Sequence, residues 1–168
     1  MVLTELFVAL FVAVFLLHEI EEVLVVRRWM TCHATTLQKR FPRMQSLLAV
    51  LSRVRTLPFI VAVAEETMIV VVCTAVALCG GGFVAWWCCV AAYALHVVVH
   101  CVQAFAVGGY VPGLVTSLVS LPYCVVAVMA VAGLFPIWNL VLWGLLGAVL
   151  TAANLYMMHS VIARMSEP

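Results

Sequence analysis

The stretch from Leu6 to Glu22 reads LFVALFVAVFLLHEIEE. Its apolar run ends at Leu17, which is too early for a membrane-spanning helix, because such a helix needs roughly 20 mostly apolar residues. The helix therefore crosses a membrane only if the polar cluster from His18 to Glu22 lies within the bilayer. Ionisable groups in hydrocarbon cost about 3 kcal/mol each on insertion scales and are usually kept for function. This stretch thus predicts both a membrane fold and the position of a functional site.

The composition supports a membrane protein. Of the 168 residues, 67% are hydrophobic and 9% are charged, whereas a soluble domain carries about 25% charged residues. We therefore predict an all-α, polytopic membrane helix bundle that forms a single domain over residues 1–168. Five transmembrane helices are expected, at about residues 3–26, 57–79, 83–107, 113–133 and 137–162.

The basic residues predict the orientation of these helices. Seven of the eight lie in the first connection, and Arg164 follows the last helix. Because cytoplasmic segments carry the excess of lysine and arginine, we expect the N-terminus outside and the C-terminus inside, in the inner (cytoplasmic) membrane of the cell. The membrane topology accounts for the positions of the lysines and arginines, so they do not indicate a nucleic-acid partner, and none is expected. Residues 43–55 carry apolar side chains at helical spacing and are predicted to form an amphipathic segment on the inner surface.

The acidic residues indicate where a site would form. Five of the seven lie well inside the predicted spans, which contain no lysine or arginine. Residues three or four apart share a helix face, so His18 and Glu22 point the same way, as do His96 and His100. Helix rise places the polar groups of four spans at one depth in the inner leaflet. This predicted layer consists of His18, Glu21, Glu22, Glu65, Glu66, His96, His100 and Asn154.

The chemistry of this layer favours a metal. Imidazole nitrogens and carboxylate oxygens suit zinc, iron or manganese. We predict a divalent metal, with zinc favoured and iron or manganese as alternatives, held by His18, Glu22, Glu65, His96 and His100. The predicted acid, base or oxyanion-stabilising groups are Glu21, Glu22, Glu66 and Asn154. A site of this kind among membrane lipids predicts an enzyme, with a hydrolase favoured, that acts on a lipid-like or other apolar small molecule.

Other functions fit the same residues. Carboxylates within a membrane are also typical of proton- or cation-coupled transporters. Five helices without an internal repeat would then need a homo-oligomer to build a pathway. A further alternative is a non-catalytic membrane subunit, in which neutral carboxylic acids and histidines share protons and hold the bundle together or bind a partner helix.

Two short motifs resemble those of a known family. His18-Glu-Ile-Glu21-Glu22, together with Tyr110-Val-Pro112-Gly113, is similar to the pattern of the HXXEE-motif family of small bacterial integral membrane proteins of unknown function. The resemblance implies a further intramembrane histidine, which His96 or His100 would supply, and a late asparagine, which Asn154 matches best. It implies a membrane protein and supplies no substrate.

Overall fold

The computed structural model describes residues 2–53 and 56–165, and these residues form helices and turns without a strand. The prediction of an all-α fold is therefore confirmed. A long first helix is followed by a 3-10 turn at Pro42–Met44, a short second helix and four further long helices. The helices are α1 Val2–Arg40, α2 Gln45–Arg53, α3 Thr56–Leu78, α4 Val84–Val107, α5 Leu114–Ala132 and α6 Ile137–Met165.

Within the described residues, four helices are long and apolar enough to cross a membrane. They agree with the second to fifth predicted spans, so the chain is a multi-pass membrane protein. Many of their large apolar side chains point away from the bundle, and Phe105 is 90% exposed. Such a surface suits hydrocarbon, which is as apolar as the side chains it meets. The four segments are Thr56–Leu78, Val84–Val107, Leu114–Ala132 and Ile137–Met158.

The first helix is longer than the span that the sequence predicts. We expected a span over residues 3–26 and then a connection, whereas α1 continues without a break to Arg40. No glycine or proline lies between Arg27 and Arg40, while Pro42 disfavours helical conformation at the residue before it. At about 1.5 Å per residue, α1 is roughly 58 Å long. It therefore exceeds the bilayer hydrocarbon thickness of about 30 Å. Its second half, which we call the projecting half, extends past the predicted span and buries Met30 and Leu37 against Leu48 of α2.

The projecting half of α1 contacts the connection between α4 and α5. The Arg40 guanidinium donates to the carbonyl of Val107 at 2.7 Å and stabilises the end of α4. The Trp29 indole donates to the carbonyl of Tyr110 at 3.0 Å. These two bonds fix the segment that carries the Tyr-x-Pro-Gly sequence. We call this side of the bundle the basic end, because it holds Arg27, Arg28, Lys39, Arg40 and Arg43.

An aromatic core, on the side of the bundle opposite the basic end, positions α1 between α4 and α5. Phe11 of α1 is fully buried and stacks on Tyr123 of α5, with ring centroids 6.0 Å apart. Trp86 and Tyr93 of α4 pack edge-on against the Phe11 ring at 6.0 and 5.7 Å. His18 follows Phe11 by two helical turns and points the same way. The packing of Phe11 therefore also directs His18 between α4 and α5.

Candidate functional site

Four predicted ligands converge between α1 and α4. His18 and Glu22 come from α1, and His96 and His100 come from α4. Each offers one ligand atom, and the four atoms lie within 4.8 Å of one another. His18 is fully buried and His100 is 6% exposed, while Glu22 and His96 are half-buried. We call these four residues the histidine cluster.

The ring nitrogens of the cluster lie at hydrogen-bond distance from one another, but their donors and acceptors do not match. His96 Nε2 lies 3.1 Å from His18 Nε2 and 2.9 Å from His100 Nε2. His100 Nε2 also lies 3.0 Å from Glu22 Oε1. A neutral imidazole carries one N–H and one lone pair. Thr116 Oγ1 donates to Glu21 and so holds the N–H of His18 on Nδ1, which leaves the Nε2 lone pair of His18 facing the cluster. With that lone pair in place, neutral rings leave two lone pairs or two N–H groups facing each other at one of these contacts. A cation that accepts all the lone pairs removes this conflict.

A chain of hydrogen bonds behind the cluster fixes the tautomer of His18. Thr116 Oγ1 lies 2.6 Å from Glu21 Oε2 and 3.0 Å from His18 Nδ1. The hydroxyl donates its single hydrogen to the carboxylate, so it accepts the N–H of His18 Nδ1. The lone pair of His18 is thereby left on Nε2, which points into the cluster. Such a partner orients a ligating histidine and increases its basicity.

Tyr110 extends this chain to the basic end. Its hydroxyl donates to Glu21 Oε1 at 2.6 Å, and its side chain is 40% exposed. Partial burial and the Glu21 carboxylate raise the pKa of Tyr110 to about 12, so the phenol remains a donor at neutral pH. The backbone N–H of Thr116 also donates to Glu21 Oε2 at 2.8 Å. We call His18, Thr116, Glu21 and Tyr110 the orienting chain.

Gly113 closes the cluster from the basic end. Its φ of 80° lies in the left-handed region, where a side chain is strained. A Cβ at this position would lie 3.0 Å from Cε1 of both His18 and His100 and 3.1 Å from Glu22 Oε1. The glycine of the Tyr-x-Pro-Gly sequence is therefore required both for the backbone turn and for its close approach to the imidazoles.

The remaining predicted residues lie on α3 and α6. Asn154 Nδ2 donates to Glu65 Oε2 at 2.9 Å, which joins the two helices in what we call the Glu65–Asn154 pair. Glu66 Oε1 is buried and has no hydrogen-bond partner among the described residues. Glu66 and Asn154 face a cavity of about 700 Å³ between α1, α3, α4 and α6. The cavity also reaches the histidine cluster, because His96 and Glu22 line it.

Comparison with known proteins identifies the family. The model of a family described as proteins of unknown function with an HXXEE motif matches residues 9–127, which is more than half of the chain. The chain belongs to the HXXEE-motif family. The resemblance drawn from the two short motifs is thus confirmed. Neither a search of curated proteins nor a search of solved structures found a match.

The HXXEE motif divides its residues between two tasks. His18 and Glu22 face α4 and join the cluster, whereas Glu21 faces α5 and bonds Thr116 and Tyr110. Four of the five predicted ligands are therefore brought together, and Glu65 instead pairs with Asn154. Of the predicted catalytic residues, Glu22, Glu66 and Asn154 line the cavity, but Glu21 does not.

Sequence reasoning assigned no site role to two residues of this HXXEE-motif protein. Thr116 contacts the carbonyl of Gly113 at 3.3 Å and also bridges His18 and Glu21. Its place three residues after the motif glycine is a signal that could have indicated this role. Glu19 is 5% exposed and lines the cavity beside Glu22.

Proposed function

We propose that this protein is a membrane-embedded, metal-dependent enzyme, with zinc as the favoured metal and hydrolysis of a lipid-like substrate as the favoured reaction. The observation that carries the proposal is the convergence of four ligand atoms within 4.8 Å at the wall of a cavity that holds further carboxylates. Three imidazoles and one carboxylate form a donor set that suits zinc, and it also accommodates iron or manganese.

The residues around the cluster support a metal over a shared proton. The orienting chain directs the His18 lone pair inward, and Glu22 supplies a negative charge that offsets part of the charge of a divalent ion. The described residues that line the cavity include no lysine or arginine to neutralise the glutamates. Bound metal would make such an arrangement less costly in the membrane, because a cation replaces the missing fixed charge.

The cavity supports a reaction beside the cluster. A zinc ion at such a site polarises an acyl oxygen and lowers the pKa of water. We propose Glu66 as the general base, because its Oε1 is buried without a hydrogen-bond partner in the described part of the chain and it faces the cavity. In hydrolysis, the water oxygen bonds to the acyl carbon and the bond to the leaving oxygen or nitrogen breaks. Glu66 takes the proton from water and returns it to the leaving group, while Asn154 donates to the substrate.

We also propose a topology. The apolar half of α1 is a fifth span, because it packs through Phe11 against two helices that are long enough to cross a membrane. The basic end would lie at the cytoplasmic side of the inner membrane, with the N-terminus outside and the C-terminus inside. The histidine cluster would then lie in the inner leaflet, and the projecting half of α1 in the cytoplasm.

Elemental analysis of the protein in mild detergent tests the metal. Wild type is expected to carry a near-integral amount of zinc, iron or manganese, and His18→Ala is expected to lose it while still inserting into the membrane. Wild type is also expected to hydrolyse simple acyl esters, and Glu66→Gln to lose that activity while retaining the metal. Wild type that binds no metal after supplementation, or His18→Ala with full occupancy, would contradict the proposal.

A proton-coupled transporter is the second candidate, and one observation favours it. The orienting chain runs from the buried His18 to the exposed Tyr110, and Glu19 and Glu66 line the cavity on the other side of the cluster. Together they form a series of proton-carrying groups. Proton flux into liposomes that is lost in Glu21→Gln, combined with metal-free wild type, would favour transport over catalysis.

A further inference from the structure

The cavity is longer than the site requires. It continues from the histidine cluster along α4, α3 and α6 toward the end of the bundle opposite the basic end, and it reaches Gly81 and Val84. From His96 to Val84 along α4, helix rise gives a length of about 18 Å. One leaflet of a bilayer has a hydrocarbon thickness of about 15 Å, half of the whole core. The length of this extension, which we call the slot, therefore matches one extended acyl chain.

The lining of the slot is apolar and includes small residues. Ala85 and Ala92 of α4 add little side-chain volume to the wall. Gly147 lets α6 approach α4 closely beside the slot, because a Cβ at that position would overlap the Cys88 backbone. Tyr93 is polar, but its hydroxyl is used by Ser120 of α5, to which it donates at 2.8 Å. The other described residues that line the slot include valine, leucine and isoleucine, the aromatic residues Phe15 and Trp143, and three cysteines that behave as small hydrophobes. A hydrocarbon tail suits these walls.

The polar level of the cavity excludes an anionic head group. Glu19, Glu22 and Glu66 line the cavity there, and its described lining residues include no lysine or arginine. A phosphate at this depth would face three carboxylates and no lysine or arginine, and its one positively charged partner would be the proposed metal; like charges at close range are costly. The donors available to a substrate are those of His96, Asn154 and Thr151, which suit a neutral carbonyl or hydroxyl oxygen.

We infer that the substrate is a neutral, single-chain acyl ester or amide, held with its carbonyl beside the histidine cluster and its tail in the slot. This inference rests on the proposed function for the identity of the reacting group, whereas the position of the tail depends on the slot alone. The cavity of about 700 Å³ holds the reacting group as well as the tail, so we place a single chain in it.

Binding of acyl chains of different length tests the slot. Wild-type protein, stripped of metal with a chelator, is titrated in nanodiscs with hexadecanoyl glycerol and with decanoyl glycerol. Ala85→Phe fills the far end of the slot, so it is expected to weaken binding of the longer ester by at least about tenfold and to leave the shorter one unchanged. Val102→Phe, which alters a 60% exposed position of the same helix, is the control and is expected to bind both like wild type.

The dependence of binding on acyl-chain length distinguishes a filled slot from a misfolded variant, and it does so without bound metal. A misfolded variant would lose both esters, in which case a photoreactive group near the tail of the hexadecanoyl ester gives the answer in wild type. Labelling at α4 near Ala85 supports the slot, and labelling only at lipid-facing residues such as Val102 overturns it. Stronger competition by hexadecyl phosphate or by hexadecylamine would overturn the neutral head group. Binding in the slot by protein that never holds metal would leave the tail site intact and contradict only the proposed function.

Discussion

The histidine cluster and the Glu65–Asn154 pair are both polar groups inside an apolar bundle, but they are satisfied in different ways. In the pair, an amide donor meets a carboxylate acceptor at 2.9 Å, so each group has a complementary partner. In the cluster, three Nε2 atoms and one carboxylate oxygen meet, and the Nε2 lone pair of His18 faces inward because its N–H is on Nδ1. Neutral rings then leave two lone pairs or two hydrogens facing each other at one contact. The pair can therefore hold two helices together unaided, whereas the neutral cluster keeps one mismatched contact, which a proton or the proposed metal would remove.

The largest expected difference is in zinc affinity, when a glutamate is changed to glutamine in the histidine cluster or in the Glu65–Asn154 pair. Glu22→Gln removes the one carboxylate of the cluster and is expected to weaken zinc binding by more than about 100-fold, because it changes a ligand itself. Glu65→Gln is the matched change in the pair and is expected to keep the zinc affinity of wild type. Competition with a fluorescent zinc chelator measures both. An equal loss of zinc affinity in the two variants would show that the pair contributes to zinc binding as much as the cluster does.

The second prediction concerns the orienting chain. Thr116→Val keeps the shape of the side chain but removes the hydroxyl, so His18 loses the acceptor for its Nδ1–H. Zinc affinity is expected to fall by about 10- to 100-fold, as is typical when the partner of a ligating histidine is lost. Thr116→Ser retains the hydroxyl and is expected to restore most of the affinity.

Nitrogen NMR of metal-free protein tests whether Thr116 fixes the tautomer of His18 or only packs against the ring. Wild type and Thr116→Ser are expected to show His18 with its hydrogen on Nδ1, and Thr116→Val to show a mixture or the other tautomer. An unchanged tautomer in Thr116→Val would mean that Thr116 affects the cluster through packing alone.

The third prediction tests the close approach of Gly113. Gly113→Ala places a Cβ within 3.0 Å of two imidazole carbons and forces a left-handed conformation, which costs about 1–2 kcal/mol before any clash is counted. We expect a lower melting temperature in detergent and weaker zinc binding. Gly109→Ala is the control, because a Cβ there meets nothing within 4 Å and its φ is not positive. Similar behaviour of the two variants would contradict the role of Gly113.

The sequence was sufficient for the faces of individual helices, and insufficient for the contacts between them. Periodicity placed His18 with Glu22 and His96 with His100, and helix rise put both pairs at one depth. It named Glu65 as a ligand but could not show that Glu65 pairs with Asn154 instead, because adjacent residues point about 100° apart and the helix that each face of α3 meets was unknown. Thr116 was missed because its role depends on the packing of α5 against α1.

The length of α1 was underestimated for a different reason. A hydropathy pattern ends where the apolar residues end, so the predicted span stopped at about residue 26. Helix formation itself continues until a residue such as Pro42 prevents it, and the polar half of α1 gains contacts at Val107 and Tyr110. The membrane boundary and the helix end are separate properties, and composition predicts only the membrane boundary.

The smallest expected effect concerns the exposed end of the orienting chain. Tyr110→Phe removes the hydrogen bond to Glu21, and at a 40% exposed position water replaces part of it. We expect a loss of about 1 kcal/mol in the free energy of unfolding and a much smaller change in zinc affinity than for Thr116→Val. Because the pKa of Tyr110 is raised to about 12, the phenol stays protonated, so the loss should be the same at neutral and mildly alkaline pH.

A double-mutant cycle with Glu21→Gln isolates this contact. If Tyr110 acts through Glu21, the two substitutions together should cost less than the sum of their separate effects, with a coupling of about 1 kcal/mol. Additive effects would instead mean that Tyr110 stabilises the turn through its ring or its carbonyl contact with Trp29. The chain would then end at Glu21, and the cluster would have no hydrogen-bonded link to the basic end through Tyr110.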